Sequence, residues 1–177
     1  MSTDSLAMII KKFNHNGKTY DLRATTTADV PELRILINAA YKELSDRGLN
    51  YTATFQDEKK TFERLQQGQG FALLDSQQKI IGTILMSREN FFTGKNTAYL
   101  GQFAISPALK KQGLGSLLLD FCEQLAKVQN YEAIQLDTAI PADHLVKMYL
   151  KRGYKIVGEI QWDGKTYLSY MFEKSLI

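Results

Sequence analysis

A short basic stretch with two glycines is the part of this sequence best suited to chemistry. It reads Lys110, Lys111, Gln112, Gly113, Leu114 and Gly115. It lies between an apolar run, residues 99–105, and an amphipathic segment, residues 116–128, so we expect a loop that joins a strand to a helix. Backbone N–H groups at a helix N-terminus attract anions, and glycines let a ligand approach the backbone closely. The stretch therefore predicts a pyrophosphate site and a nucleotide-containing cofactor.

The rest of the pattern predicts a mixed α/β chain that would position this loop. Apolar runs predict strands over residues 8–13, 20–24, 71–74, 79–86, 97–105, 133–137, 155–162 and 165–172. Helical spacing predicts helices within residues 27–48, 56–67, 114–128 and 141–153. Asn16-Gly17 and Asp163-Gly164 predict tight hairpin turns near the two ends of the chain.

Length and composition predict one globular domain spanning residues 1–177. Hydrophobic residues make up 44% and charged residues 23%, and the net charge of +3 is too small to favour a nucleic-acid partner. The single cysteine, Cys122, allows no internal disulfide and no cysteine-based zinc site, and we expect it to pack in the core and the protein to bind no metal. Residues 1–6 are polar and no apolar run reaches membrane-spanning length, so we expect a cytoplasmic protein without a membrane partner.

Two well-known phosphate-binding loops do not fit the glycine stretch. A Rossmann fingerprint needs a third glycine, and Leu118 stands at that position. A P-loop needs Gly-Lys-Ser/Thr, but Gly115 is followed by Ser116 and Leu117. A dinucleotide-dependent oxidoreductase or a P-loop nucleotidase is therefore disfavoured.

Two motifs together resemble the GCN5-related N-acetyltransferase (GNAT) family. Residues 105–116 are similar to the family's acetyl-CoA loop, Gln/Arg-x-x-Gly-x-Gly/Ala, although Lys110 stands where the family usually has Gln or Arg. Residues 145–154 are similar to its later motif, in which a helical Tyr precedes a basic stretch and a Gly-aromatic pair. Ala142 stands where the family often has Asn. The resemblance covers residues 97–172.

The resemblance implies a GNAT-like α/β fold and a direct acetyl transfer. The expected fold is a mixed, mostly antiparallel central sheet flanked by about four helices, with a C-terminal β-hairpin. The expected reaction moves the acetyl group of acetyl-CoA to a primary amine. The cofactor-binding residues that it implies, with His144 as a guess, are Phe103, Ala104, Ile105, Lys110, Lys111, Gln112, Gly113, Leu114, Gly115, Ser116 and His144.

Tyr149 is the expected catalytic residue, as the proton donor to the leaving thiolate. It matches the family's helical Tyr, five residues before Tyr154; without the resemblance, a packing role in the core would be the better interpretation. The general base stays open between Asp137, Glu89 and a chain of waters. For Asp137, capping the turn before Pro141 is the favoured interpretation.

The acceptor side is expected around the first two helices and their connection. Tyr41, Tyr51 and Phe55 are candidates to line an acceptor pocket, and Glu43 or Asp57 would attract a cationic amine, although packing explains these residues about as well. A small-molecule amine is the preferred acceptor and a peptide or protein amine the second choice. A non-catalytic acetyl-CoA-binding module is the rival from another class, and the family resemblance also allows a homodimer. Other candidates are Phe91 and Phe92, as a dimer contact, a lid or core residues, and His15, which has no partner signal.

Overall fold

The computed structural model describes residues 8–177, so the polar residues 1–6 of the sequence prediction lie outside the described part of the chain. Its strands form one sheet in the order β1-β2-β3-β4-β5-β6-β8-β7. They are β1 (Ile9–His15), β2 (Lys18–Ala24), β3 (Gln69–Leu74), β4 (Ile80–Arg88), β5 (Thr97–Ile105), β6 (Ala133–Ala139), β7 (Lys155–Ile160) and β8 (Ser169–Ser175). All neighbouring strands are antiparallel except β5 and β6. This confirms the mixed, mostly antiparallel sheet and the C-terminal β-hairpin.

Helices cover both faces of this sheet. They are α1 (Val30–Asp46), α2 (Thr52–Phe55), α3 (Glu58–Leu65), α4 (Leu114–Val128) and α5 (Asp143–Lys151). On one face α1 buries Leu33 and Ile37 against Ala72 and Leu74 of β3. The other face carries the larger core cluster, in which α4 supplies Leu118 and Cys122, both fully buried, and α5 supplies Tyr149. Cys122 has the packing position expected of it, and burial raises the pKa of its thiol.

Two predicted elements differ in their bounds from the structure. The helix predicted over residues 56–67 is α3, and it begins later than predicted because Gln56 is extended and Asp57 caps α3 by accepting a hydrogen bond from the Lys60 N–H. The short helix α2 lies before that range and was not predicted. The tight turn predicted at Asp163-Gly164 is the tip of a longer loop over residues 161–168. Trp162 and Lys165 of this loop make hydrogen bonds to distant parts of the chain, and those contacts replace strand pairing.

A gap opens between β5 and β6, and it positions the site. The parallel pairing covers only Thr97–Tyr99 against Ala133–Gln135, while β5 continues to Ile105. Beyond Tyr99 the inner edge of β5 therefore carries backbone groups that β6 does not pair. A bulge opposite β4 adds to the divergence, with Gln102 in the left-handed region at φ +48°.

None of the helices between residues 8 and 177 is long and apolar enough to cross a membrane.

Candidate active site

The glycine loop forms a cradle of free backbone donors at the start of α4. Lys111 and Gly113 adopt positive φ values of 62° and 84°, which turn the chain sharply before the helix begins at Leu114. Within residues 8–177, no backbone carbonyl accepts from the N–H groups of residues 111–115. The Ser116 N–H, by contrast, is bonded to the Gly113 carbonyl at 3.1 Å. Five N–H groups at a positive helix end suit a pyrophosphate.

Neighbouring elements hold this cradle in place. Lys110 Nζ lies 2.9 Å from Glu43 Oε2 of α1, and this ion pair lowers the pKa of the Glu43 carboxyl. The ring of His15, at the tip of the first hairpin, lies with Nε2 2.6 Å from the Gln112 carbonyl oxygen. Glu43, a candidate for attracting an amine, pairs with the loop in this structure, and His15 gains a partner that its sequence position did not indicate.

The inner edge of β5 lies directly beside the cradle. A Cβ added to Gly115 would approach the Phe103 ring to 3.1 Å, so the first turn of α4 packs closely against that strand. The Phe103 carbonyl accepts a hydrogen bond from the Tyr41 hydroxyl at 3.1 Å. Phe103 thus connects the first turn of α4 with the cavity side of β5.

A cavity of about 530 Å³ occupies the gap between β5 and β6. Aromatic side chains form much of its wall, namely Tyr41, Tyr51, Tyr99, Tyr149, Trp162 and Tyr167. Its ionisable lining residues are Lys60, Arg64, Glu89, Asp137, Asp163 and Lys165. A depression of about 550 Å³ beside α3 and the β2–β3 pair contains none of the predicted site residues. The β5–β6 cavity is therefore the candidate active site.

Tyr149 is buried in the wall of this cavity, in contact with Tyr154 and Phe172. Its hydroxyl makes no hydrogen bond to another group among residues 8–177. Burial, and after it the neighbouring Tyr41, raises the pKa of Tyr149 well above the usual tyrosine value. The hydroxyl therefore stays protonated near neutral pH and is free to donate.

Asp137 is a cavity residue of β6 and not the turn cap that its sequence position favoured. The strand continues past it to Ala139, and its carboxylate accepts hydrogen bonds from the Tyr99 hydroxyl and from Trp162 Nε1, the latter at 2.9 Å. Burial and then the Asp137 charge raise the pKa of Tyr99, so Tyr99 acts as the donor in this pair. Both hydrogen-bond partners of Asp137 are neutral, so neither of them balances the charge of its carboxylate.

The other expected residues divide between the cavity and the surface. Tyr41, Tyr51 and Glu89 line the cavity. Phe55 is 69% exposed and is not a lining residue, because the single turn of α2 carries it outward. His144 is exposed at the start of α5, close enough to Glu43 for its charge to act on that carboxyl. Asp57 caps α3 and does not line the cavity.

The two phenylalanines of the 89–96 loop lie in different environments. Phe91 packs against Tyr99 and Trp162, with ring centroids 5.4 and 5.7 Å away, so it belongs to the packing around the site. Phe92 is 60% exposed and lies over Gly158 of β7.

Sequence reasoning missed several cavity residues. Arg64, Gln102, Trp162 and Lys165 belong to elements with no recognisable motif, and they meet only because α3, the β5 bulge and the 161–168 loop converge. The sequence contains only weak indications that these residues belong to a site. Trp162 is the single tryptophan of the chain, and Lys165 follows a turn sequence.

No group of three or more His, Cys, Asp or Glu side chains that could hold a metal ion is present within residues 8–177.

Comparison with known proteins agrees with this geometry. The family model described as "Acetyltransferase (GNAT) family" matches residues 33–154. The chain is 29% identical to an S-alkylcysteine N-acetyltransferase of Bacillus subtilis, over 88% of each chain. It is 26% identical to an S-(2-succino)cysteine N-acetyltransferase of the same organism, over 87% of this chain and 94% of the other.

A solved structure shows the same fold. A GNAT-family acetyltransferase from Listeria monocytogenes superposes with a TM-score of 0.73 at 17% identity, covering 93% of this chain and 99% of that one. The family match spans both the glycine loop and the helix that carries Tyr149. This chain therefore belongs to the GNAT family of acetyltransferases and is an acyltransferase of the N-acetyltransferase type.

Proposed function

We propose that this protein transfers the acetyl group of acetyl-CoA to the α-amino group of a small amino acid of the S-substituted cysteine type. The observation that carries the proposal is the cavity between β5 and β6, which is lined by Tyr149 and by Phe103, the residue whose ring lies beside Gly115 of the cradle. The two Bacillus relatives that match nearly the whole chain are named for such acceptors. A volume of about 530 Å³ suits a small acceptor, whereas a protein substrate would need an open groove.

The donor would be held mainly by backbone groups. The N–H groups of residues 111–115 are unpaired within the described chain and would receive the pyrophosphate, with the positive charge of Lys111 beside them. Lys110 contributes less, because it is paired with Glu43. The edge of β5 at Phe103, Ala104 and Ile105 would bind the arm that leads to the thioester. His144 and Ser116, both exposed, would add outer contacts to the donor.

Acetyl transfer then requires that the amine and the thioester be held side by side, that the amine lose a proton and that the leaving thiolate gain one. The amine nitrogen attacks the thioester carbonyl carbon, the C–S bond breaks, and the thiolate takes a proton from the Tyr149 hydroxyl. A backbone N–H within residues 103–105 would stabilise the oxyanion. Asp137 would attract the substrate ammonium, since neutral donors alone satisfy it, and the amine proton would leave to Asp137, to Glu89 or through water.

A transfer screen with purified protein tests the proposal. Thiol release from acetyl-CoA would be followed with S-methylcysteine, unmodified amino acids, polyamines, aminoglycosides and peptides as acceptors. We expect S-substituted cysteines to give the highest kcat/KM. Faster transfer to peptides would favour the protein-amine alternative. Tight acetyl-CoA binding with no transfer to any acceptor would favour the non-catalytic alternative and contradict the proposal.

A further inference from the structure

Two half-buried cations face the candidate active site without carboxylate partners. Arg64 of α3 and Lys165 of the 161–168 loop both line the cavity. Arg64 donates to the Gln56 side-chain oxygen at 2.9 Å. Lys165 donates to the Asn50 carbonyl at 3.0 Å and to Thr52 Oγ1 at 2.8 Å. Among residues 8–177, no carboxylate lies within 4.0 Å of either cation. Burial, and then the charge of Arg64, lowers the pKa of Lys165.

A buried amide beside the same cavity lacks an acceptor. Arginine can only donate, so the oxygen of the Gln56 amide faces Arg64 and its nitrogen faces Gln102. That nitrogen donates to Gln102 Oε1 at 3.0 Å, which leaves Gln102 Nε2 without a partner. Gln102 is only 3% exposed, and a buried donor without an acceptor is rare in folded proteins. Its positive φ and the bulge direct the side chain towards α3.

Two cations and an unpaired donor therefore line the same cavity as Asp137 of β6. We propose that Arg64 and Lys165, assisted by the Gln102 amide, form a subsite for the α-carboxylate of the acceptor, while Asp137 faces its ammonium group. The inference rests on the proposed function, because it assumes that the acceptor binds in this cavity. It adds the residues that would distinguish an amino acid from a simple amine.

The geometry assigns different tasks to the two cations. The planar guanidinium of Arg64 keeps N–H groups beyond the one bonded to Gln56 and suits a paired contact with two carboxylate oxygens. Lys165 is a single point charge that the Asn50 and Thr52 contacts hold against the cavity. The subsite is therefore assembled from two separate elements, α3 and the 161–168 loop.

A matched pair of acceptors tests the subsite. S-Methylcysteine and its decarboxylated counterpart, S-methylcysteamine, differ only in the carboxylate. We expect the wild-type protein to prefer the acid by about tenfold or more in kcat/KM, since charge complementarity sets specificity. Arg64→Gln should lower kcat/KM for the acid by about tenfold to a hundredfold, mainly through KM, and change the value for the amine by less than about threefold.

Further variants separate a binding role from a structural one. Lys165→Met should show the same selective loss and does not disturb the Gln56 contacts. Lys59→Gln removes a positive charge from the exposed side of α3 and should leave the preference unchanged. An equal loss for both acceptors in Arg64→Gln and Lys165→Met, or no preference in the wild-type protein, would overturn the subsite.

Binding distinguishes failure of the subsite from failure of the proposed function. If no acceptor is acetylated, the proposed function fails, and calorimetry with N-acetyl-S-methylcysteine and its carboxamide still tests the cavity. Tighter binding of the carboxylate, lost in Arg64→Gln, would support the subsite on its own. Equal or absent binding of the two compounds would contradict it.

Discussion

Tyrosine side chains form much of the cavity wall, and the hydrogen-bond partners of their hydroxyl groups differ from one tyrosine to the next. The Tyr41 hydroxyl donates to the Phe103 carbonyl. The Tyr51 hydroxyl bonds with Thr138 Oγ1 and accepts from the Ala139 N–H. The Tyr99 hydroxyl donates to Asp137. The hydroxyls of Tyr149 and Tyr167 make no hydrogen bond to another group among residues 8–177. Burial raises the pKa of both, so both remain proton donors near neutral pH. Tyr149 is the one that matches the family motif.

Replacing Tyr149 by Phe tests its proposed role as proton donor. The substitution removes one hydroxyl that contacts no other group, so the fold and the KM for acetyl-CoA should change little. We expect kcat to fall by about a hundredfold or more, because general acid catalysis contributes on that scale. Tyr167→Phe is the matched comparison and should lose less. An unaltered kcat in Tyr149→Phe with chemistry rate-limiting, or a larger loss in Tyr167→Phe, would show that the assignment is wrong.

Elements, rather than single side chains, build the donor site. The cradle depends on the turn between β5 and α4, and the turn depends on Gly113 at φ +84°. A Cβ there would also come within 2.9 Å of the His15 ring, whose nitrogen contacts the Gln112 carbonyl. Gly113 is therefore constrained both by its backbone conformation and by its contact with the first hairpin. A larger residue at this position would move the N–H groups of the cradle.

Gly113→Ala should weaken acetyl-CoA binding more than it weakens the fold. The left-handed conformation alone costs an alanine roughly 1–2 kcal/mol. Relaxation of the turn would redirect the N–H groups, so we expect the KM for acetyl-CoA to rise about tenfold or more with little change in acceptor KM. Gly153→Ala provides the control, since Gly153 has a similar φ of +86° and no neighbour within 4 Å of the added Cβ. Equal effects of the two variants on acetyl-CoA KM would argue against the cradle.

The acceptor side depends on a second element, the 161–168 loop. Asn50 holds it through the Thr166 N–H at 2.9 Å and through the Gly164 carbonyl at 2.9 Å. Tyr167 of this loop stacks on Tyr51 with ring centroids 4.9 Å apart. The loop thus closes the cavity over the α1–α2 connection and brings Lys165 and Trp162 to it.

At the scale of the whole molecule, the first hairpin is tied to α1 by a buried ion pair. Arg23 of β2 donates to both oxygens of Asp29, at 2.7 and 2.8 Å. Burial by itself would raise the pKa of Asp29, but the hydrogen bonds from Arg23 and Thr26 outweigh it and lower that pKa. The carboxylate also receives the Thr26 N–H at 2.7 Å, so it fixes the chain just before the helix.

Asp29 should make the free energy of unfolding depend on pH in the acid range. Because its pKa is lower in the folded than in the unfolded chain, its contribution is fully present above the unfolded value of about 3.9 and is lost as pH falls through the folded pKa. Asp29→Asn should therefore cost roughly 1–3 kcal/mol at pH 7 and less near pH 3. Urea unfolding at both pH values measures this. Asp46→Asn, at an exposed site, is the control, and an equal loss at both pH values in Asp29→Asn would contradict the expectation.

The sequence by itself determined the local chemistry of this protein. Glycine positions, apolar periodicity and the Tyr149–Tyr154 spacing act over a few residues, so they revealed the strand-loop-helix unit and the family and predicted the donor class. Only the tertiary structure decided which side chains share the cavity. Arg64, Asp137 and Lys165 are distant in sequence and meet because β5 and β6 diverge and the 161–168 loop reaches Asn50. Such meetings depend on sheet order and loop contacts, which no short-range pattern encodes.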